Sequence, residues 1–333
     1  MINKSLKFID LFCGLGGFRI AIENLRQNSE CVFSCDFDSD SQKSYEANFG
    51  EKPFGDITKI PETEIPEHDV LFAGFPCQAF SICGDQKGFE DIRGTLFFDI
   101  ARILKTKQPQ AFVLENVKQL VSHNQGKTLE RIVETLENLG YQTNYKILNA
   151  LDFGLPQKRE RVFIVGFRQP KYFIWNLQKS PMKSLREILE TEIEEKYFAS
   201  EKIRQNRLKS VENKIIKDDL TIWHENKGGN ISPLPYSCAL RSGASYNYLL
   251  VNGTRRLTMR EMLRLQGFPE DYKIVVGYQA MRKLAGNTVA IPCVEAVLRS
   301  VFDALENPIQ TQAVKTKAAI QESLFAQIKN ANT

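Results

Sequence analysis

Residues 7–17 read Lys-Phe-Ile-Asp-Leu-Phe-Cys-Gly-Leu-Gly-Gly. An apolar run (KFIDLF) ends on glycines, and helical spacing resumes over 17–26. A strand that turns through glycines into a helix lets a ligand approach the backbone and aims amide N–H groups at it. A second apolar run, ECVFSC at 30–35, delivers Asp36, 20 residues after Gly16. That spacing suits a carboxylate bonding ribose hydroxyls. A tight turn that binds nothing is the plain alternative. The dinucleotide pattern G-x-G-x-x-G needs a third glycine at position 19, where this chain has Arg19. A nicotinamide cofactor is therefore disfavoured. A nucleoside without a pyrophosphate, such as S-adenosylmethionine, fits better. Asp56, in Gly-Asp-Ile, is a further candidate for the adenine amino group, or else a surface turn acid.

The same rhythm continues outward. Strands are expected at 69–73 (DVLFA), 111–115 (AFVLE), 141–148 and 161–167 (RVFIVGF). Helices are expected at 42–49, 96–106 and 128–139, the last stopped by Gly140. Alternation of this kind predicts an α/β fold: a mostly parallel, doubly wound, Rossmann-like sheet with helices on both faces. Ligands then sit beyond the carboxyl ends of the strands. Near residue 170 the rhythm fails. Residues 171–255 are polar and irregular, with Gly228, Gly229, Pro233, Pro235 and Gly243. Periodicity returns at 258–265 and 288–305. The expected organisation is a large domain from 1–180 and 285–306, a smaller insert at 181–255, a hinge at 256–284 and a tail at 307–333. Within the tail, 318–329 has helical spacing. There are no internal repeats.

Composition bounds the class. The chain has 333 residues, 42% apolar and 25% charged, too apolar for disorder. Its apolar runs are short and broken by charge, so no membrane span is expected. Residues 1–8 lack a signal-peptide core, and seven cysteines is an odd number, so reduced thiols in the cytoplasm are expected. The net charge of +4 resides in 171–255, which holds 14 Lys/Arg against 10 Asp/Glu. Within it, 196–217 has seven bases and two acids. That stretch is either a solvated helix face or a surface facing nucleic-acid phosphates.

The strand ends carry the chemistry. The third strand leads into Gly74-Phe-Pro76-Cys77-Gln78, with a thiol just past the strand. Cys83 is the one rival nucleophile. Cys13, Cys31, Cys35, Cys238 and Cys293 read as small core residues. The fourth strand delivers Glu115-Asn116-Val117, and Gln157-Lys-Arg159-Glu-Arg161 enters another. Arg159 and Arg161, two apart, share a face if both are in a strand. His68, His123 and His224 lie outside these motifs, which disfavours a Cys–His hydrolase. No cluster has zinc spacing, so no metal is expected.

Together these motifs resemble those of DNA (cytosine-5)-methyltransferases. Also similar are Arg256-Leu-Thr258-Met-Arg260-Glu261-Met-Leu-Arg264-Leu-Gln-Gly-Phe-Pro269 and Gly286-Asn287-Thr-Val289. The resemblance spans about 7–170 and 253–305 and is nearest to small bacterial enzymes of type II restriction–modification systems. It implies methyl transfer from S-adenosyl-L-methionine to C5 of a flipped-out cytosine in a specific double-stranded DNA sequence, leaving S-adenosyl-L-homocysteine. It implies that Cys77 attacks C6, that Glu115 serves N3 and that Arg159 and Arg161 orient the base. Phe12, Gly14, Leu15, Gly16, Gly17, Asp36, Phe37, Asp56, Ile57, Pro76, Leu96, Asn287 and Val289 would hold the cofactor. Gln78 and Ser81 would meet DNA from a closing loop at about 76–95, which has Gly84, Gly88 and Gly94. The insert would be the target recognition domain. There Gly228-Gly229-Asn230 resembles the loop that fills the hole left by the base, and Arg241, Ser242 and Tyr246 would contact DNA, with Ser245 and Asn247 in the same stretch. A restriction endonuclease would be a functional counterpart rather than a bound partner, and a monomer is expected. The alternatives are a transfer-RNA cytosine-5 methyltransferase, whose Cys-Phe-Thr marker this chain lacks, and a catalytically silent DNA-binding relative.

Overall fold

The computed structural model describes residues 5–76, 96–216 and 218–306. The chain begins with β1 (Leu6–Leu11), α1 (Gly17–Leu25), β2 (Ser29–Cys35) and α2 (Ser39–Phe49). Then come β3 (Val70–Gly74), α3 (Leu96–Lys107), β4 (Ala111–Val117), α4 (Gln119–Ser122), α5 (Lys127–Asn138) and β5 (Gln142–Asn149). The short β6 (Gln157–Lys158) precedes β7 (Glu160–Phe167). The insert holds α6 (Glu201–Val211), β8 (Ile222–Glu225), β9 (Ile231–Leu234), β10 (Ser237–Cys238) and β11 (Leu249–Val251). The chain returns through α7 (Met259–Arg264), α8 (Tyr278–Asn287) and α9 (Ile291–Glu306).

The central sheet has the order β2-β1-β3-β4-β7-β5. Its first four strands are parallel. Both faces are covered. Phe8, Val70, Phe72, Val113 and Val165 pack with α1 and α9, while Ile9, Leu11, Leu71, Leu114 and Ile164 pack with α3 and α5. Burial on both faces explains why these strands read as apolar runs rather than alternations. β1 leads first to β2 on one side, and the chain later returns to place β3 on the other. The crevice where ligands are expected therefore lies beyond the ends of β1 and β3.

One strand departs from the parallel pattern. β7 is antiparallel to both β4 and β5. Only residues 150–159 join β5 to β7, too few for a parallel crossover. The reversal has a useful result: β7 starts at the edge where β1, β3 and β4 end. Arg161 consequently stands opposite Val117 in the register.

The insert has its own antiparallel sheet, β11-β8-β9. It is also joined to the large domain, because β10 pairs in parallel with β6, Ser237 with Gln157 and Cys238 with Lys158. Residues at 185–190 dock on α7: Leu185 and Ile188 are buried, and Glu190 donates its backbone N–H to Glu261. Glu261 itself is fully buried against Arg255. The basic stretch 196–217 is partly absorbed by the fold. Arg207 pairs with Glu225, Arg204 with Glu201 and Lys196 with Glu194. The tail and its expected helix at 318–329 lie outside the described residues.

Asp10, next to the last residue of β1, is fully buried, and neither carboxylate oxygen has a hydrogen-bond partner among the described residues. Burial pushes its pKa up to about 8, with Arg19 opposing the shift. The native state thus holds a proton that the unfolded chain releases at an ordinary carboxyl pKa. Stability should fall as pH rises from about 4 to about 8, by up to about 1.4 kcal/mol per unit. Asp10→Asn should flatten that slope in urea unfolding series at pH 5–8; an unaltered slope would contradict the assignment.

Candidate active site

A cavity of about 360 Å³ opens at the carboxyl edge of the sheet. Strand ends build most of its wall. β1 supplies Phe12, β2 supplies Asp36, Phe37 and Asp38, and β3 supplies Gly74, Phe75 and Pro76. β4 supplies Glu115, Asn116 and Val117, and the entry to β7 supplies Arg159 and Arg161. Lys283, Leu284, Gly286 and Asn287 of α8 close the far side. Sequence reasoning did not foresee α8 as an element, although its terminal Gly286-Asn287 was singled out. Met281, Leu284 and Ala285 form its buried face.

The glycine turn is braced by Asp36. One oxygen accepts the Gly14 N–H at 2.9 Å and the other accepts the Asp38 N–H at 2.9 Å. Burial raises the Asp36 pKa, and those amides oppose the rise. Phe12 and Gly14 have φ of 57° and 54°. A Cβ on Gly14 would meet nothing nearer than 3.9 Å, so the turn faces open space. Gly16 and Gly17 have a packing duty instead. A Cβ there would fall 2.3 Å from the Phe49 ring or 2.7 Å from Val289 Cγ2. Leu15 is fully buried and its carbonyl accepts from the Tyr272 hydroxyl at 2.9 Å. Val289 is buried behind the turn. Asp56 caps the short 3-10 turn Ile57–Lys59 through Thr58, Ile57 is a core residue and Leu96 opens α3; none of these three lines the cavity.

Glu115 is 6% exposed and forms an ion pair with Arg161 Nε at 2.9 Å. Burial raises its pKa, while Arg161 and Arg159 partly offset the shift. A carboxyl so placed holds a proton more readily than a surface one. Asn116 straps the neighbouring strand end: its Nδ2 donates to the Phe75 carbonyl at 2.9 Å. Pro76 lines the cavity, and Cys77 follows it directly. Cys77, Gln78 and Ser81 lie outside the described residues.

Arg159 lines the cavity but lies between β6 and β7, and its guanidinium is spent on the backbone. It donates to the carbonyls of Gly286 (3.3 Å), Thr288 (2.5 Å) and Leu240 (3.5 Å). Burial, with Arg161 beside it, pushes its pKa down to about 9, so it stays cationic at neutral pH.

A second hollow, about 530 Å³, adjoins the first and shares Val117, Arg161, Gly286 and Asn287 with it. Its outer wall comes from the insert: Asn226, Lys227, Arg241 and Ser242 among others. None of the described residues of 196–217 lines it. Asn230 is exposed in the β8–β9 turn, where its N–H donates to Asn226 Oδ1 at 3.0 Å. Tyr246 is 44% exposed and lies under the Arg282 guanidinium, 4.3 Å from its ring centre.

An open, mostly parallel sheet with a glycine turn and a fixed carboxylate at its carboxyl edge is a Rossmann-like, nucleoside-binding architecture. A profile of the C-5 cytosine-specific DNA methylases matches residues 6–303, and the chain belongs to that family. It is 56% identical over 292 residues to the type II methyltransferase M.NgoBI of Neisseria gonorrhoeae, covering 87% of this chain and 91% of the relative. It is 49% identical over 324 residues to M.HaeII of Haemophilus aegyptius, covering 97% and 99%. Among solved structures, the Dnmt2 methyltransferase of S. pombe superposes with a TM-score of 0.68 at 20% identity, over 90% of this chain and 98% of that one. That likeness concerns the fold alone. The protein is a DNA (cytosine-5-)-methyltransferase using S-adenosylmethionine.

The donor set suits that cofactor. Asp36 offers a fixed carboxylate beside the open glycine turn, and Phe37, 72% exposed at the cavity, offers an uncovered aromatic face.

The two arginines should separate in their effects. Arg159→Ala leaves three buried carbonyls without their donor and is expected to cost about 3 kcal/mol of stability. Arg161→Ala lets Glu115 take up a proton instead and should cost about 1 kcal/mol. Urea midpoints of the two variants check this; equal losses would contradict it.

Proposed function

We propose that the first cavity holds the cofactor and the target cytosine side by side, and that the second hollow receives double-stranded DNA. The carrying observation is the buried Glu115–Arg161 pair, which stands in one cavity with Asp36 and the Pro76 that precedes Cys77. S-adenosylmethionine, when bound, supplies a methyl group on a sulfonium. Phe12, Gly14, Asp36, Phe37, Pro76 and Asn287 would hold it, with Leu15, Gly16, Gly17 and Val289 shaping the turn from behind.

C5 of cytosine is a poor nucleophile. The Cys77 thiolate adds to C6, forming a C–S bond and pushing electron density toward C5 and N3. Glu115 places its proton at N3 and so stabilises the enamine that results. Arg161 fixes the Glu115 carboxyl. Arg159 fixes the wall beside it and contributes positive field, which favours thiolate over thiol. Once C5 carries the methyl group, N3 returns its proton to Glu115, a base takes the C5 proton, and the C5–H electron pair forms the C5=C6 bond as the C–S bond breaks and releases the thiolate. A base inside a duplex is out of reach, so the cytosine must flip, at a cost of a few kcal/mol. Lys227, Arg241, Ser242 and Tyr246, together with Gln78 and Ser81, would offset that cost through phosphate and base contacts. Asn230 would enter the vacated stack. The extensive likeness to type II methyltransferases supports a protective role in a restriction–modification system; we further take the chain to act in the cytoplasm as a monomer. An endonuclease would share the DNA site without binding this chain.

Cys77→Ser is expected to lower turnover at least about a thousandfold while DNA affinity in a gel-shift assay stays within threefold. Duplex DNA with 5-fluorocytosine at the target should trap a covalent adduct, visible on denaturing gels. Glu115→Gln should lower kcat by about 100-fold or more and leave the cofactor Kd within threefold; the opposite pattern would move Glu115 to the cofactor side. Bisulfite sequencing of DNA from cells expressing the chain tests base, chemistry and sequence together.

A further inference from the structure

The two walls of the cofactor cavity come from distant parts of the chain. Asp36 and Asp38 follow β2, whereas Lys283 and Asn287 belong to α8. One ion pair spans them, from Lys283 Nζ to Asp38 Oδ2. The two oxygens of Asp38 have separate tasks. Oδ1 caps α2, accepting the N–H groups of Asp40 and Ser41 at 3.0 Å each. The cap holds the carboxyl still, so Oδ2 meets Lys283 in a fixed geometry. The Asp38 side chain is 15% exposed and that of Lys283 is half exposed. Three acids crowd this wall, and Lys283 feels Asp38, Asp40 and Asp36 together. The preceding residue faces another partner. Arg282 donates to the carbonyls of Ala244 (3.0 Å) and Ser245 (2.9 Å) in the insert.

Building on the assignment of this cavity to S-adenosylmethionine, we propose that Asp38 and Lys283 are positioning residues for the cofactor: their ion pair clasps α8 against the Asp36 wall. Without the lysine, α8 loses its tie to α2 at this point. Asp38 then adds uncompensated negative charge beside Asp36, whose carboxylate is the acceptor for the ribose. Cofactor affinity falls, and the groups that make and break bonds at the base are untouched. Arg282 and Lys283 thus divide one helix between the two substrates.

The test uses the full chain and S-adenosylhomocysteine as the probe, with titration calorimetry giving Kd directly. Asp38→Asn keeps an N-cap acceptor and removes the charge. Asp38→Asn and Lys283→Met should each weaken binding about fivefold, the range open to a partly buried pair. The double variant should be no weaker than either single, since both remove one interaction. Lys283→Arg should stay within twofold of the unaltered chain. In turnover assays the KM for S-adenosylmethionine should rise about as much as Kd, with kcat at saturating cofactor changed less than twofold. Additive losses, Kd values within twofold of the original, or a fall in kcat at unchanged KM would each overturn the clasp. Failure of the unaltered chain to bind the probe would overturn the assignment of the cavity itself, and the clasp with it.

Discussion

The buried Arg159 guanidinium is the constraint on which the site depends. Its three acceptors lie in different segments: Leu240 in the insert, Gly286 at the end of α8 and Thr288 just beyond it. One cation therefore joins the central sheet, the insert and the helix α8 that closes the cavity. A charged group is costly to bury unless its donors are satisfied, and here backbone carbonyls satisfy most of them. Gln157, two residues earlier, extends the same joint. It donates to the Leu265 carbonyl at 2.7 Å and accepts from the Leu240 N–H at 3.1 Å. Loss of this joint would free three structural units at once.

Charge arithmetic pointed to the insert as the DNA-gripping part, and the structure refines where in the insert the charge is available. The basic stretch 196–217 spends much of its charge on internal pairs. The cations that face the hollow beside the cavity are Lys227, Arg241 and Arg161, and Arg282 and Arg256 flank Tyr246 nearby. A net charge summed over a segment does not distinguish a lysine on a phosphate from an arginine on its own glutamate.

Much of the catalytic half was legible in the sequence, for a physical reason. Strands buried on both faces, such as Ala111–Val117, are continuous apolar runs, and they end where polar chemistry begins. The glycine turn, Asp36 and Glu115 could thus be placed from spacing alone. The direction of β7 was hidden in the length of the link before it. α6 was legible only as one of two readings of 196–217, a solvated helix face, because it buries only Arg207 and Val211 and so shows no apolar stripe. The role of Arg159 was invisible, since its acceptors are backbone carbonyls, which carry no residue-type signal. Asp38 and Lys283 were missed for a similar reason: they stand 245 positions apart.

The two-residue pairing of β10 with β6 has a further consequence. It fixes, in steps of one residue, where the stretch after Cys238 lies relative to the entry to β7. A slip of one residue along a strand would move that stretch by about 3.3 Å and would part Leu240 from Gln157 and Arg159, which hold its N–H and its carbonyl. The short ladder between Gln157 and Ser237 therefore sets the register of the insert against the cavity wall.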